Sequence, residues 1–349
     1  MDNILPAYDD PLFSILIIIL LVLIVAIGAF VMGNLKEERK RQSLQEFLSR
    51  FSTKDCQLDV VEMPFSNSLI SPLTLLANAF KNQGEYQKAI NLNLYLIKNI
   101  SNFYDKETIL SELGQTYLKA GFLKRAESIY LEILHKHARN SEALYHLGLI
   151  YERLNEYEKA LETFQPLKIL GEETQELEAH IKLSQLLTDN QLKKEEKIER
   201  LKSLLKDESY SYRRIIQALF GLDKEEAWSA IDRTKTHLIL DILWFLPSSN
   251  LNLDIIYQDE ILSSIYLAKG VISMREPTPI SNIFAIDTIV SAQKGGNSSI
   301  GLNFSYGCEA CKQHFPMAFT RCPKCYAINR LQVKETLAKR ESQRGYSLL

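Results

Sequence analysis

The chain repeats itself at a fixed interval, and that interval restricts its fold more than any other feature. Leu113, Gly114, Tyr117, Ala126 and Tyr130 recur thirty-four positions later as Leu147, Gly148, Tyr151, Ala160 and Phe164. An earlier stretch carries Leu76, Ala77, Phe80 and Ala89 in the same internal spacing, with a slightly longer link to the next copy. A period of this length encodes a pair of antiparallel helices, which cannot bury its apolar face alone and must stack on further copies. Gly or Ala falls where the two helices cross too closely for a larger side chain, and the aromatics fill the space beside them. Gly84 with Glu85, Gly121, and Asn155 with Glu156 mark the turns between the helices.

Thirty-four is the tetratricopeptide period, which assigns residues 69–170 to three such repeats. Beyond Gly171 the spacing of three and four persists while the repeat residues fade. Helices are predicted near Glu176–Leu187, Glu195–Leu205, Tyr212–Phe220, Glu225–Asp232, Leu238–Leu246 and Asp254–Lys269, with Asp223 and Glu226 forming a capping box. Residues 171–270 therefore read as degenerate helical repeats. From 271 to 304 the chain is rich in Pro, Gly, Ser and Asn and reads as a linker, with one short helix or strand around Ile283 to Ala292.

The two ends differ in kind. Leu12 to Gly33 is an apolar run without a charge, long enough to cross a bilayer as a helix, and its insertion is favoured by roughly 5 kcal/mol. Asp2, Asp9 and Asp10 precede it, whereas Lys36, Arg39, Lys40 and Arg41 follow. The positive-inside rule puts residues 1–11 outside and the bulk in the cytoplasm, with 34–68 as a juxtamembrane linker. The run is too long for the apolar region of a cleaved signal peptide, and the charge before it has the wrong sign.

Near the other end, Cys308, Cys311, Cys322 and Cys325 form two C-x-x-C pairs separated by ten residues, with Pro323 inside the second. Two tight turns presenting two thiolates each suit a tetrahedral sulfur site for one zinc or iron ion. Disulfides or a redox motif fit less well, because no thioredoxin-like pattern surrounds either pair and the topology keeps the segment in a reducing compartment. His314 lies between the pairs, but four thiolates already complete a tetrahedron. Cys56 stands alone and reads as an ordinary thiol. The knuckle occupies 305–330, and 331–349 reads as a polar tail with a frayed helix. The expected fold is all-α apart from this rubredoxin-like or zinc-ribbon knuckle.

Lys and Arg total 41 against 43 Asp and Glu, so there is no basic surplus of the kind nucleic acid demands. No histidine takes part in a triad or an H-E-x-x-H spacing, and no phosphate-binding glycine motif is present, which argues against an enzyme and a small-molecule substrate. Partner binding must use a surface. In a tetratricopeptide array the first helix of each pair lines the concave face, so Asn78, Gln115 and Leu149, then Lys81, Leu118 and Glu152, then Asn82, Lys119 and Arg153 are candidate partner contacts. Such residues could also solvate the inner face or touch a folded-back knuckle.

The order of one membrane span, a cytoplasmic repeat array and a C-terminal knuckle resembles the lipopolysaccharide assembly protein B family. The stretch LGQTYLKAGFLKRAESIYLEIL, Leu113 to Leu134, is similar to a family repeat, as is Leu76 to Ile90, and Tyr306 to Tyr326 is similar in its cysteine spacing. The resemblance implies an inner-membrane adaptor that brings the lipid A deacetylase to the membrane protease FtsH and is associated with the lipopolysaccharide transport machinery. A scaffold that holds a membrane complex together without controlling turnover is the alternative. The chain departs from the family in the weak signature of 171–305 and in Lys312, where a rubredoxin knuckle often has Gly.

Overall fold

The computed structural model describes residues 65–273 and 278–340. The expected span at 12–33, the segment at 1–11, all but the last four residues of the segment at 34–68, and Cys56 lie outside them. Among the described residues no helix is long and apolar enough to cross a membrane. The fold is mostly helical and of repeat type, and it divides into two compact units that meet in sequence at Gly121 and Phe122.

The first unit contains α1 (Ile70–Gln83), α2 (Tyr86–Asn99) and α3 (Phe103–Lys119). Leu73 and Ala77 of α1 pack with Leu92 and Leu96 of α2 and Ile109 of α3. The sharp turn after α1 requires a left-handed residue, and Gly84 supplies it at φ 83°. Asn102 starts α3, its side-chain oxygen accepting from the Tyr104 amide at 3.2 Å.

The second unit opens with α4 (Leu123–Lys136), α5 (Ser141–Arg153) and α6 (Tyr157–Ile169). Asn140 caps α5 through the Ala143 amide at 2.8 Å, and Asn155 makes the left-handed turn at φ 59° that Gly84 makes in the first unit. Ala126, Tyr130, Ala160 and Phe164 are all essentially inaccessible, as the repeat spacing requires. There follow α7 (Gln175–Thr188), α8 (Lys194–Leu204), α9 (Tyr212–Leu222) and α10 (Lys224–Ser229). Asp223 caps α10, accepting from the Glu225 and Glu226 amides at 3.1 and 3.3 Å.

Further along, short helices α11 (Leu240–Phe245), α12 (Leu253–Gln258) and α13 (Glu260–Lys269) precede α14 (Phe284–Lys294). The expected single helix over Asp254–Lys269 is broken at Asp259, whose side chain caps α13 through the Leu262 amide at 2.8 Å. Within the expected linker, α14 buries Ile286, Ile289 and Val290 in the same core as α9 to α13. The Pro and Gly residues that suggested coil punctuate the ends of this helix.

The all-α expectation needs correction at the C-terminus. Strands β1 (Ile300–Cys308), β2 (His314–Phe315) and β3 (Leu331–Lys339) form an antiparallel sheet in the order β2-β1-β3. The expected polar tail begins as β3, which pairs with β1 along its full length, Cys308 facing Leu331 and Leu302 facing Leu337. Leu337 is exposed, but Leu331 and Val333 are half-buried and alternate with polar residues, the period of a strand that covers one face. That face meets the helices: Phe304 and Tyr306 lie in the helical core with Leu331 and Val333 packed against it. Tyr306 donates to buried Asp241 at 2.9 Å, and Arg213 donates to the same carboxylate through Nη2 at 2.6 Å and through Nη1. Arg340 ties the end of β3 to α13 by donating to the carbonyls of Ala268 and Lys269 at 2.8 and 2.9 Å.

Close packing at the repeat glycine generates a prediction. A methyl group on Gly148 would stand 2.5 Å from Phe164 Cε1 and 2.7 Å from Thr163 Oγ1. Ala outranks Gly in a helix by about 1 kcal/mol, but Phe164 is 1% exposed and has no room to withdraw. Gly148→Ala should therefore destabilise the protein by about 1–3 kcal/mol, seen as a lower thermal midpoint, and Phe164→Leu should rescue part of the loss. A midpoint unchanged or raised by Gly148→Ala alone would contradict this packing.

Candidate metal centre and its docking site

The knuckles are two copies of one backbone pattern. In the first, the Cys308 amide donates to the Gln313 carbonyl at 2.9 Å and the Lys312 amide to the Cys308 carbonyl at 2.8 Å; in the second, Cys322 donates to Ala327 at 2.9 Å and Tyr326 to Cys322 at 3.0 Å. The residue after each pair is left-handed, Lys312 at φ 57° and Tyr326 at φ 61°. That conformation accounts for a glycine preference at the first of these positions, and a lysine there costs on the order of 1–2 kcal/mol.

All four Sγ atoms lie within 4.8 Å of one another. Cys308 and Cys325 are 3.7 Å apart, as are Cys311 and Cys322, and all four thiols are free. A tetrahedron with metal–sulfur bonds of about 2.3 Å has edges of about 3.8 Å, so the donor set fits one tetrahedral ion. The electrostatics agree. Burial opposes ionisation of Cys308, but the amides of Cys311 and Ala310 and the neighbouring thiols outweigh it and draw its pKa down to about 7. Cys325 is pushed up to about 12, by burial first and then by the other sulfurs. Four sulfurs at this spacing cannot all carry charge without a cation among them. Exposed His314 lies on β2, outside the four-sulfur group.

The knuckle docks on the repeats through Arg321, the residue before Cys322. Its Nη2 donates to Glu152 Oε2 at 2.5 Å and its Nε to Oε1 at 3.3 Å, while Nη1 donates to the Tyr326 carbonyl at 2.7 Å. Tyr145 of α5 donates to that carbonyl at 3.3 Å, and Arg153 stacks over the Tyr326 ring at 5.2 Å. His180 of α7 approaches Glu152 Oε1 at 2.9 Å. Burial would raise the Glu152 pKa, but the hydrogen bond from His180 and the charge of Arg321 override it and hold the carboxyl at about 2. Burial in turn keeps the His180 imidazole less basic than usual, with Glu152 pulling the other way. Further out, Arg330 reaches Glu176 at 3.5 Å and Asn329 the Ser209 carbonyl at 3.4 Å.

The expected partner-contact residues are placed unevenly. Leu118 and Leu149 are fully buried and present no surface. Lys81 is 7% exposed, paired with Glu112 and donating to Gln115 at 3.2 Å. Glu152 and Arg153 contact the knuckle, as described. Asn78, Gln115 and Lys119 are half-buried and Asn82 is exposed. Arg321, Tyr145, His180 and Asp241 were not foreseen, and no local signal marks them, since Arg321 meets a residue 169 positions away.

Known proteins share parts of this chain. The tetratricopeptide repeat family matches residues 111–169. Lipopolysaccharide assembly protein B of Escherichia coli strain K12 is 30% identical over 104 residues, a stretch covering 30% of this chain and 27% of that protein. The same protein from Escherichia coli O157:H7 gives the same values. The match thus spans only 27% of the length of these curated relatives. Among solved structures, a tetratricopeptide repeat protein from Parabacteroides merdae aligns with 65% of this chain and 99% of its own, at 16% identity and a TM-score of 0.36. The chain carries tetratricopeptide repeats and, over 104 residues, is similar to lipopolysaccharide assembly protein B.

Proposed function

We propose that this protein is a membrane-anchored, non-catalytic adaptor that regulates lipopolysaccharide synthesis or assembly by bringing a client, the lipid A deacetylase, to a membrane protease of the FtsH type. The observation that carries the reading is the docked knuckle: a four-cysteine site held on a tetratricopeptide helix by a buried ion pair, in a chain similar to lipopolysaccharide assembly protein B. Residues 12–33 supply the anchor in this reading, with the N-terminus outside the inner membrane and the repeats in the cytoplasm. Asn78, Asn82, Gln115 and Lys119 are the remaining partner contacts.

Cys308, Cys311, Cys322 and Cys325 would hold one zinc or iron ion. Four thiolates fill a tetrahedron and leave no position for water or substrate, so the ion's part is structural. Elemental analysis of the purified full-length protein should find one zinc or iron per chain. Chelation should abolish knuckle structure, to whose folding metal contributes on the order of 10 kcal/mol. A chain without stoichiometric metal after anaerobic, chelator-free preparation overturns this assignment.

Glu152→Gln should leave the Arg321 guanidinium buried without its counter-charge, at a cost of about 3–5 kcal/mol to docking. Faster amide exchange across 306–330, with α1 and α2 unaffected, is the expected readout. Unchanged exchange would remove the observation on which the reading rests.

The adaptor role itself is tested by client turnover. Depleting the protein should lengthen the half-life of the lipid A deacetylase. A drop in complex integrity with turnover unchanged would favour the scaffold. Confinement to one membrane raises effective concentration, so a weak contact suffices. Deleting Met1 to Gly33 should then weaken function at native expression, and overproduction should partly restore it.

A further inference from the structure

Arg214, on α9, is a half-buried guanidinium without a carboxylate partner among the described residues. Its Nη1 donates to the His180 carbonyl at 3.2 Å and its Nη2 to Ser184 Oγ at 2.8 Å, both on α7. Among the described residues it makes no ion pair, so three of a guanidinium's five N–H donors remain without a protein acceptor. Its neighbour in sequence shows the usual solution. Arg213 is satisfied by Asp241, with both Nη atoms on the two carboxylate oxygens.

The carboxylate that acts on Arg214 does not balance it. Glu152 is close enough to influence it electrostatically. Both of its oxygens are nevertheless engaged, Oε2 by Arg321 and Oε1 by Arg321 and His180. One carboxylate therefore faces two guanidiniums. His180 keeps a lowered basicity and supplies no negative charge in either form. Among these groups one positive charge is left in excess, on a half-buried guanidinium whose free N–H groups suit an anionic acceptor.

We infer that Arg214 anchors an oxyanion-binding site between α7 and α9, which takes a carboxylate or phosphate group. The two bonds to α7 fix the plane of the guanidinium, so its fork is organised before a ligand arrives, and planar or tetrahedral oxyanions match that fork with two parallel hydrogen bonds. The side chain keeps partial exposure and is reachable from solvent. The inference does not rest on the adaptor role and survives its failure.

The probes are inorganic phosphate and acetate, each against chloride at equal ionic strength, with the full-length protein in a neutral detergent. The readout is the thermal midpoint, which rises with ligand bound only to the folded state. Phosphate also stabilises proteins by exclusion from their surface, so the diagnostic quantity is the rise in wild type minus the rise in Arg214→Gln. Wild type should gain in phosphate, acetate or both, and Arg214→Gln should bind at least tenfold more weakly. Arg214→Lys should fall between, and Ser184→Ala, which keeps the charge, should retain binding. A wild-type excess over Arg214→Gln in phosphate alone assigns a phosphate site, and one in acetate alone a carboxylate site. Equal midpoints for wild type in all three salts overturn the inference, whether or not the variants fold. An equal rise in Arg214→Gln overturns it also.

Discussion

The carboxylate of Glu152 joins two parts of the second unit that sequence keeps far apart. Glu152 sits in the last turn of α5, where the repeat geometry dictates its position, and Arg321 sits one residue before a metal-ligand cysteine, where the knuckle dictates its own. Neither side chain has much freedom, at 15% and 9% exposure. Desolvating the two charges offsets much of their attraction, so the pair adds little net stability while it stays intact. Its effect is on arrangement. A knuckle rotated by one residue would leave both charges buried and unpaired, which selects a single docked pose. Tyr145 and Arg153 reinforce that pose around Tyr326, the left-handed residue of the second knuckle.

The repeats and the sulfur site were legible in sequence because each is set by short-range geometry. Ala126 and Ala160 are small because helices touch there, and Gly84 and Asn155 turn because their φ is positive. Cysteine spacing alone marked the four residues whose sulfurs lie within 4.8 Å of one another. The elements that were misread are those whose role is decided by distant contacts. In β3 the residues LQVKETLAK alternate correctly for a strand, yet charge at Lys334, Glu335 and Lys339 makes the stretch look like tail until β1 lies beside it. The apolar stripe of α14 was read as a short helix or strand, but flanking Pro and Gly residues placed it in a linker when it belongs to the helical core. Among the groove positions, helical phase alone cannot tell Asn78, which is half-buried, from Leu149 at the same repeat position, which is buried.

Stability in an ideal helical repeat array is a nearest-neighbour property, and the second unit departs from that rule. Phe304 and Tyr306 share one core with residues from Leu183 to Val290, so strand β1 is part of the helical core. Cys308 is the last residue of that strand, and Tyr306, two residues earlier, is tied to Asp241 of α11 and through it to Arg213 of α9. The sulfur site therefore has two supports, the sheet on one side and the Arg321 ion pair on the other. Such long-range closure raises contact order and couples elements that a simple repeat would leave independent. It follows that order in the knuckle is not a local property of residues 305–330. What is done to the four sulfurs is felt at α5 through Arg321 and Tyr326, and at α11 through Tyr306 and Phe304.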